Sequence, residues 1–172
     1  MNSGDLKDAI AAAPFLQGMS PRHVEILASC ACRTHFNEGQ VIFRQGETAN
    51  RFYLIEEGAV ELVAATKLGE RRIVAGSIGP GGVLGWSWLF PPYEWQFTAR
   101  ASSETSAIFF YATVLREHCE ADPSLGFELF KRMAAEMVKR LQSARTRLLE
   151  SCSGFSPIGG EHAIGADLGL AK

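Results

Sequence analysis

The chain has 172 residues, of which 47% are apolar and 21% charged, and its formal net charge is −2. That is the size and composition of one ordinary domain with extensions, with enough apolar material to bury a core. The charge excludes a generally basic nucleic-acid binder, and the longest apolar run, residues 107–111, falls far short of the ~20 that span a membrane.

The first elements read as helical. Residues 5–13 are Ala-rich and stop at Pro14. A second helix is signalled by Ser20 as its cap, Pro21 at its first position, and Val24, Leu27 and Ala28 at helical spacing; it should run to about Cys30. Residues 1–10, with Asp5 and Asp8, carry no secretory signal. The four cysteines (Cys30, Cys32, Cys119 and Cys152) are not needed as staples at this length, so a reducing cytoplasm is the expected setting.

From about residue 34 to 111 the pattern changes to β. Short strands are expected at residues 41–43, 52–55, 59–65, 71–78, 96–101 and 105–111, with a hairpin turn at 67–70 and a break at Gly79-Pro80-Gly81-Gly82. Many short strands between glycine turns predict an antiparallel sandwich or barrel. The class is therefore α+β, mainly β: a β-roll or jelly roll flanked by N-terminal helices and a long C-terminal helix.

The last third returns to helix. Thr113 is read as the cap of a short helix to about Glu120, and Asp122-Pro123 starts a long one reaching about residue 150. About 28 residues give roughly 40 Å, longer than a small roll. Phe130, Met133, Met137, Leu141, Ala144 and Leu148 form one apolar stripe at steps of three and four. Part of that stripe should meet another chain, most simply a second copy of the same helix. Residues 1–150 form the domain, and residues 151–172, Gly- and Ser-rich without periodicity, are expected to be a flexible tail.

Two stretches carry a resemblance. Phe36-Asn37-Glu38-Gly39-Gln40-Val41-Ile42-Phe43-Arg44-Gln45-Gly46-Glu47 and Phe52-Tyr53-Leu54-Ile55-Glu56-Glu57-Gly58-Ala59-Val60-Glu61-Leu62 place three glycines where tight turns need positive φ. With the order helices, roll, short helix, long helix, they resemble the cyclic nucleotide-binding domain, the sensor half of catabolite-activator-type regulators, over about residues 10–150. The resemblance implies a regulatory or sensor domain in signal transduction, not an enzyme.

The family's phosphate-binding cassette reads Gly-Glu-x-small, a short helix, then Arg-small-Ala. Helix N–H groups attract the phosphate, the Arg pairs with it, and the Glu holds the ribose hydroxyl. The matching stretch here is Gly82-Val83-Leu84-Gly85-Trp86-Ser87-Trp88-Leu89-Phe90, then Trp95-Gln96-Phe97-Thr98-Ala99-Arg100-Ala101. Val83 stands at the Glu position and Trp95 at the Arg position, which argues against ordinary cyclic AMP or cyclic GMP binding, because a buried phosphate without a cation is costly. Arg100 falls on the opposite strand face from Trp95, Phe97, Ala99 and Ala101, and Arg71, Arg72, Arg140 and Arg145 stand on other elements.

Trp86, Trp88, Phe90, Tyr93, Trp95 and Phe97 crowd one short segment. Three readings stay open: aromatics filling the old pocket as core, leaving a structural or protein-interaction domain; an aromatic-lined pocket for a small planar ligand; or a nucleotide held by helix N–H groups and stacking. The ligand-binding positions are Gly82, Val83, Leu84, Gly85, Trp86, Ser87, Trp95, Gln96 and Phe97. No cofactor is expected beyond a cyclic nucleotide or another planar ligand, and the downstream partner is a protein.

Other chemistry is set aside on spacing. His23, His35, His118 and His162 are isolated, without metal-ligand spacing. Cys30-Ala-Cys32 lacks the Cys-x-x-Cys spacing, and the adjacent His118 and Cys119 point in different directions on a helix. Lys131, Arg132, Lys139, Arg140, Arg145 and Arg147 are offset by Glu128, Glu136 and Glu150, a solvated helix face. A winged helix-turn-helix needs roughly 60 residues, more than follow Glu150, so neither direct DNA binding nor membrane binding is expected.

Overall fold

The computed structural model describes residues 3–65 and 72–153. Helix α1 (Ser3–Ala12), a 3-10 turn at Pro14–Leu16 and α2 (Pro21–Ser29) lead into β1 (Ala31–Phe36). Strands β2 (Val41–Phe43), β3 (Arg51–Glu57), β4 (Val60–Ala65), β5 (Arg72–Ile78) and β6 (Val83–Leu84) follow. A 3-10 turn at Ser87–Leu89 precedes β7 (Thr98–Ala101), β8 (Thr105–Tyr111), α3 (Ala112–Ala121) and α4 (Pro123–Ser153). The strands form two four-stranded sheets, in the orders β1-β8-β3-β6 and β2-β7-β4-β5, with every pairing between them antiparallel. This is the expected mainly-β roll with helices at both ends of the chain.

The alternation of β3 divides the protein into two compartments. Tyr53 stacks across onto Phe43 of the other sheet, at 6.2 Å between ring centroids, so its face is the roll interior. Ala99 and Ala101 point to the same interior from β7 and are fully buried. Phe52 faces the opposite way, stacked on Phe110 at 4.4 Å, and belongs with buried Leu115, Leu125 and Leu129 of the helices. Gly58 makes the β3–β4 turn: its φ is +83°, and a methyl group there would stand 2.1 Å from the carbonyl oxygen of Glu104.

Contacts on the helices agree with the sequence in part. Ser20 caps α2, accepting from the His23 N–H at 3.2 Å. Asp122 caps α4, its Oδ1 accepting from the N–H groups of Ser124 and Leu125 at 3.2 and 3.4 Å. These bonds, led by the one from the Ser124 hydroxyl, hold the Asp122 carboxyl below its usual range. Asp122 also pairs with Arg22, and His23 Nε2 meets Ser124 Oγ at 3.2 Å, so the start of α4 is pinned to α2. Arg132 donates to the carbonyls of Phe15 and Gln17, a second tie.

Several expectations are corrected. Residues 31–36 form a strand where none was assigned before about residue 34; β1 is sparse in apolar residues and its pairing with β8 supplies what its own pattern lacks. Thr113 lies inside α3, whose cap position is Tyr111 without a side-chain bond. The strand expected from residue 96 begins at Thr98, because Trp95 pairs instead with the 44–47 turn, its N–H donating to Glu47 O and its carbonyl accepting from Gly46 N–H. The β6 strand was not foreseen, and the cassette helix is a single 3-10 turn. The hairpin at 67–70 and the tail beyond residue 153 lie outside the described residues; 151–153 continue α4. No helix among the described residues is long and apolar enough to cross a membrane.

Two compact units divide the chain within α4, residues 1–136 and 137–172. In the first, Leu125, Leu129 and Met133 are buried at steps of four. In the second, every residue from 141 to 151 is exposed, including Leu141 at 71% and Leu148 at 63%.

Candidate functional site

The cassette segment starts as β6, hydrogen-bonded to β3 with Leu84 opposite Tyr53 and Val83 opposite Leu54. Both cassette residues are buried, Val83 at 2% exposure. By this register Leu84 shares the interior face of Tyr53, whereas Val83 falls with Leu54 on the opposite face, away from the roll interior. Gly82 and Gly85 bracket it. Gly85 has φ +87°, and a methyl group on it would meet Trp95 Cζ3 at 2.6 Å and Cη2 at 2.8 Å. Glycine is required there twice, by the backbone and by the indole pressed on its Cα.

Trp95 is 4% exposed and lies flat on Phe43, 3.8 Å between ring centroids and 11° between planes. Phe43 continues to Tyr53, and Tyr53 meets Phe36 edge-on at 6.1 Å and Phe109 at 6.2 Å. A run of rings thus fills this end of the roll interior. Burial raises the Tyr53 phenol above its usual range, opposed by Arg51.

The remaining site residues separate. Trp88 is 1% exposed and stacks on Phe52 at 5.7 Å, which puts it on the helix side of the sheet, opposite Trp95. The aromatics that look like one pocket in sequence therefore occupy two compartments. Trp86 and Phe97 are half-buried, Gln96 is exposed, and Ser87 is buried beside Trp88 in the 3-10 turn. Of the stripe on α4, Met133 is buried in the chain's own core, Met137 is half-buried, and Phe130, Leu141, Ala144 and Leu148 are exposed.

Arg100 pairs in register with Glu61 on the strand face opposite Ala99 and Ala101, away from the interior. The cation that does stand on the inner face is Arg51, which the sequence reading passed over. Two residues before Tyr53, it shares that face; its Cζ lies 4.6 Å from the Phe109 ring and 5.6 Å from the Tyr111 ring. Its backbone oxygen borders Gly85, and its Nε is buried without a hydrogen-bond partner. Strand alternation from Tyr53 is the signal that could have found it.

Among the described side chains Cys30, Cys32 and Cys119 are free thiols. Cys30 is buried, its thiol donating to Leu27 O and pushed up to about 11 by burial, while Cys32 is exposed on β1. Among the described residues no three His, Cys, Asp or Glu side chains gather as metal ligands.

A family model described as "Cyclic nucleotide-binding domain" matches residues 33–122. A cyclic AMP receptor protein of Thermus thermophilus is 29% identical over 96 residues, covering 56% of this chain and 44% of that protein. A CRP-like cAMP-activated global transcriptional regulator of Mycobacterium tuberculosis is 23% identical over 132 residues, 77% of this chain and 58% of that protein. The chain spans about half the length of these curated relatives. Among solved structures, a putative cyclic nucleotide-binding protein from Geobacter metallireducens superposes with TM-score 0.69 at 26% identity, over 82% of this chain and 98% of that one. The sensor domain of the regulator DNR from Pseudomonas aeruginosa has TM-score 0.65 at 16% identity, over 81% and 93%, a likeness of fold.

Proposed function

Since the chain belongs to the cyclic nucleotide-binding domain family, we propose that it is a regulatory module whose roll is closed by its own Trp95 and which acts through protein contacts in place of a bound cyclic phosphate. The observation that carries this is the indole of Trp95, stacked on Phe43 at 3.8 Å and pressed on Gly85 at the position where the family places its phosphate-binding arginine. A ligand entering there must first displace a packed aromatic run. A catalytic role is not part of this reading. Thermal unfolding with cyclic AMP or cyclic GMP tests it: neither should move Tm. A rise of several degrees with either nucleotide would overturn closure, because a ligand that binds only the native state must raise Tm.

A second reading, a roll that opens to an anionic planar ligand, is favoured by Arg51 with its unpartnered Nε. It predicts a Tm rise that is lost in Arg51→Met.

The contact surface in this proposal is the exposed apolar part of α4, Leu141, Ala144 and Leu148, joined to the same residues of a second copy. Light scattering at tens of micromolar should give a dimer, and Leu141→Glu with Leu148→Glu a monomer. A monomeric parent chain would refute the self-pairing. The output then passes to a downstream protein.

A further inference from the structure

The helix side of the sheet carries a feature that the roll interior does not explain. Between the 3-10 turn at Ser87–Leu89 and the facing parts of α3 and α4 lies a groove of about 240 Å³. Its apolar walls are Leu89, Leu129 and Phe130, and Phe130 is extended outward by its edge contact with Phe90. The close approach of α3 to α4 at its end depends on Gly126, where a methyl group would stand 3.2 Å from Cys119 Cβ. The volume is below the ~300–1,000 Å³ of sites for drug-sized molecules, so the groove suits one small ring or a short branched chain.

One wall is charged. Arg116 donates from Nη1 to the carbonyl of Trp88 at 3.2 Å, and its Cζ lies 4.5 Å from the Tyr93 ring centroid. These two contacts hold the guanidinium at the groove in one orientation, ready for a planar acceptor. Glu120, exposed at the rim, opposes more than one negative charge on an occupant. The floor adds an independent observation. Trp88 lines the groove and is 1% exposed, so its indole senses an occupant, while its Nε1–H is buried with no hydrogen-bond partner.

From these observations we infer that the groove is a binding site for a small apolar monocarboxylate, its carboxylate on Arg116 and its body between Leu89, Leu129 and Phe130. Bound there, the ligand ties the cassette turn to α3 and the start of α4. The site is separate from the closed roll, since Trp88 and Trp95 lie on opposite faces of one sheet.

The test is a titration of isotopically labelled protein with phenylacetate, followed at the Trp88 indole N–H, assigned through its proximity to the Phe52 ring. The resonance should shift saturably. Phenylacetamide, lacking the charge, and phenyl phosphate, carrying more of it, should each bind at least tenfold more weakly, and so should phenylacetate to Arg116→Met. Because Arg116 also braces Trp88, the surface variant Phe130→Ala serves as a second probe and should weaken phenylacetate binding while leaving the spectrum of the fold intact. Absence of a saturable shift in the parent protein overturns the inference, as does equal binding of the amide or undiminished binding to Phe130→Ala. None of these results bears on whether cyclic nucleotides move Tm.

Discussion

Trp95→Ala should lower the free energy of unfolding by about 3–5 kcal/mol, the range for removing a large aromatic side chain from a packed core. The indole is almost wholly buried and stacked on Phe43, so its loss removes both its own burial and one face of its neighbour's. A domain of this size holds about 5–15 kcal/mol in total, so the variant should remain folded but marginal. Urea unfolding followed by circular dichroism measures the loss, with Trp95→Phe as the milder comparator that keeps a ring on Phe43. The vacated space should then accept free indole, and adding indole should raise the Tm of Trp95→Ala while leaving the parent unchanged. A loss under about 1 kcal/mol, at the small end of core substitutions, with no response to indole, would contradict a closed roll.

Gly85→Ala should cost about 2–5 kcal/mol, combining the left-handed backbone penalty with overpacking against the indole. The two parts are separable because only one depends on Trp95. With φ +87° the backbone part persists in any background, whereas the clash at 2.6 Å disappears once the indole is gone. In the double variant Gly85→Ala with Trp95→Ala, the two costs should therefore fall short of their sum by about 1–3 kcal/mol, the coupling expected of residues in contact. Additive costs would mean that the ring does not rest on Gly85, and the proposed closure would lose its geometric basis.

Much of this was readable from the residues in order. The glycine turns at Gly39, Gly46 and Gly58, each with positive φ in the structure, mark where one strand ends and the next begins, although each joins strands of different sheets; Val83 and Trp95 are placed only by counting along the resemblance. What escaped was the side on which each aromatic falls. Within β3 alternation assigns Phe52 and Tyr53 to opposite faces, but Trp86, Trp88, Phe90 and Tyr93 sit in a one-turn 3-10 segment and the residues flanking it, where neither period applies. Helical spacing likewise marks an apolar stripe without saying what covers it. The inner row of α4 is Leu125, Leu129 and Met133, and only the last was in the stripe read from sequence. Arg51 escaped because a charged residue opening a strand looks like solvent-facing punctuation until its partners Phe109 and Tyr111 are known.

The neighbouring positions Phe52 and Tyr53 join two separately packed aromatic sets through one short stretch of backbone. Losing or gaining a single residue within β3 would reverse both side chains together, turning Tyr53 toward the helices and Phe52 toward Phe43. The protein's tolerance of length change should thus be lowest at β3, where one frame error disorders both compartments at once, and natural variation in length should collect in the turns on either side.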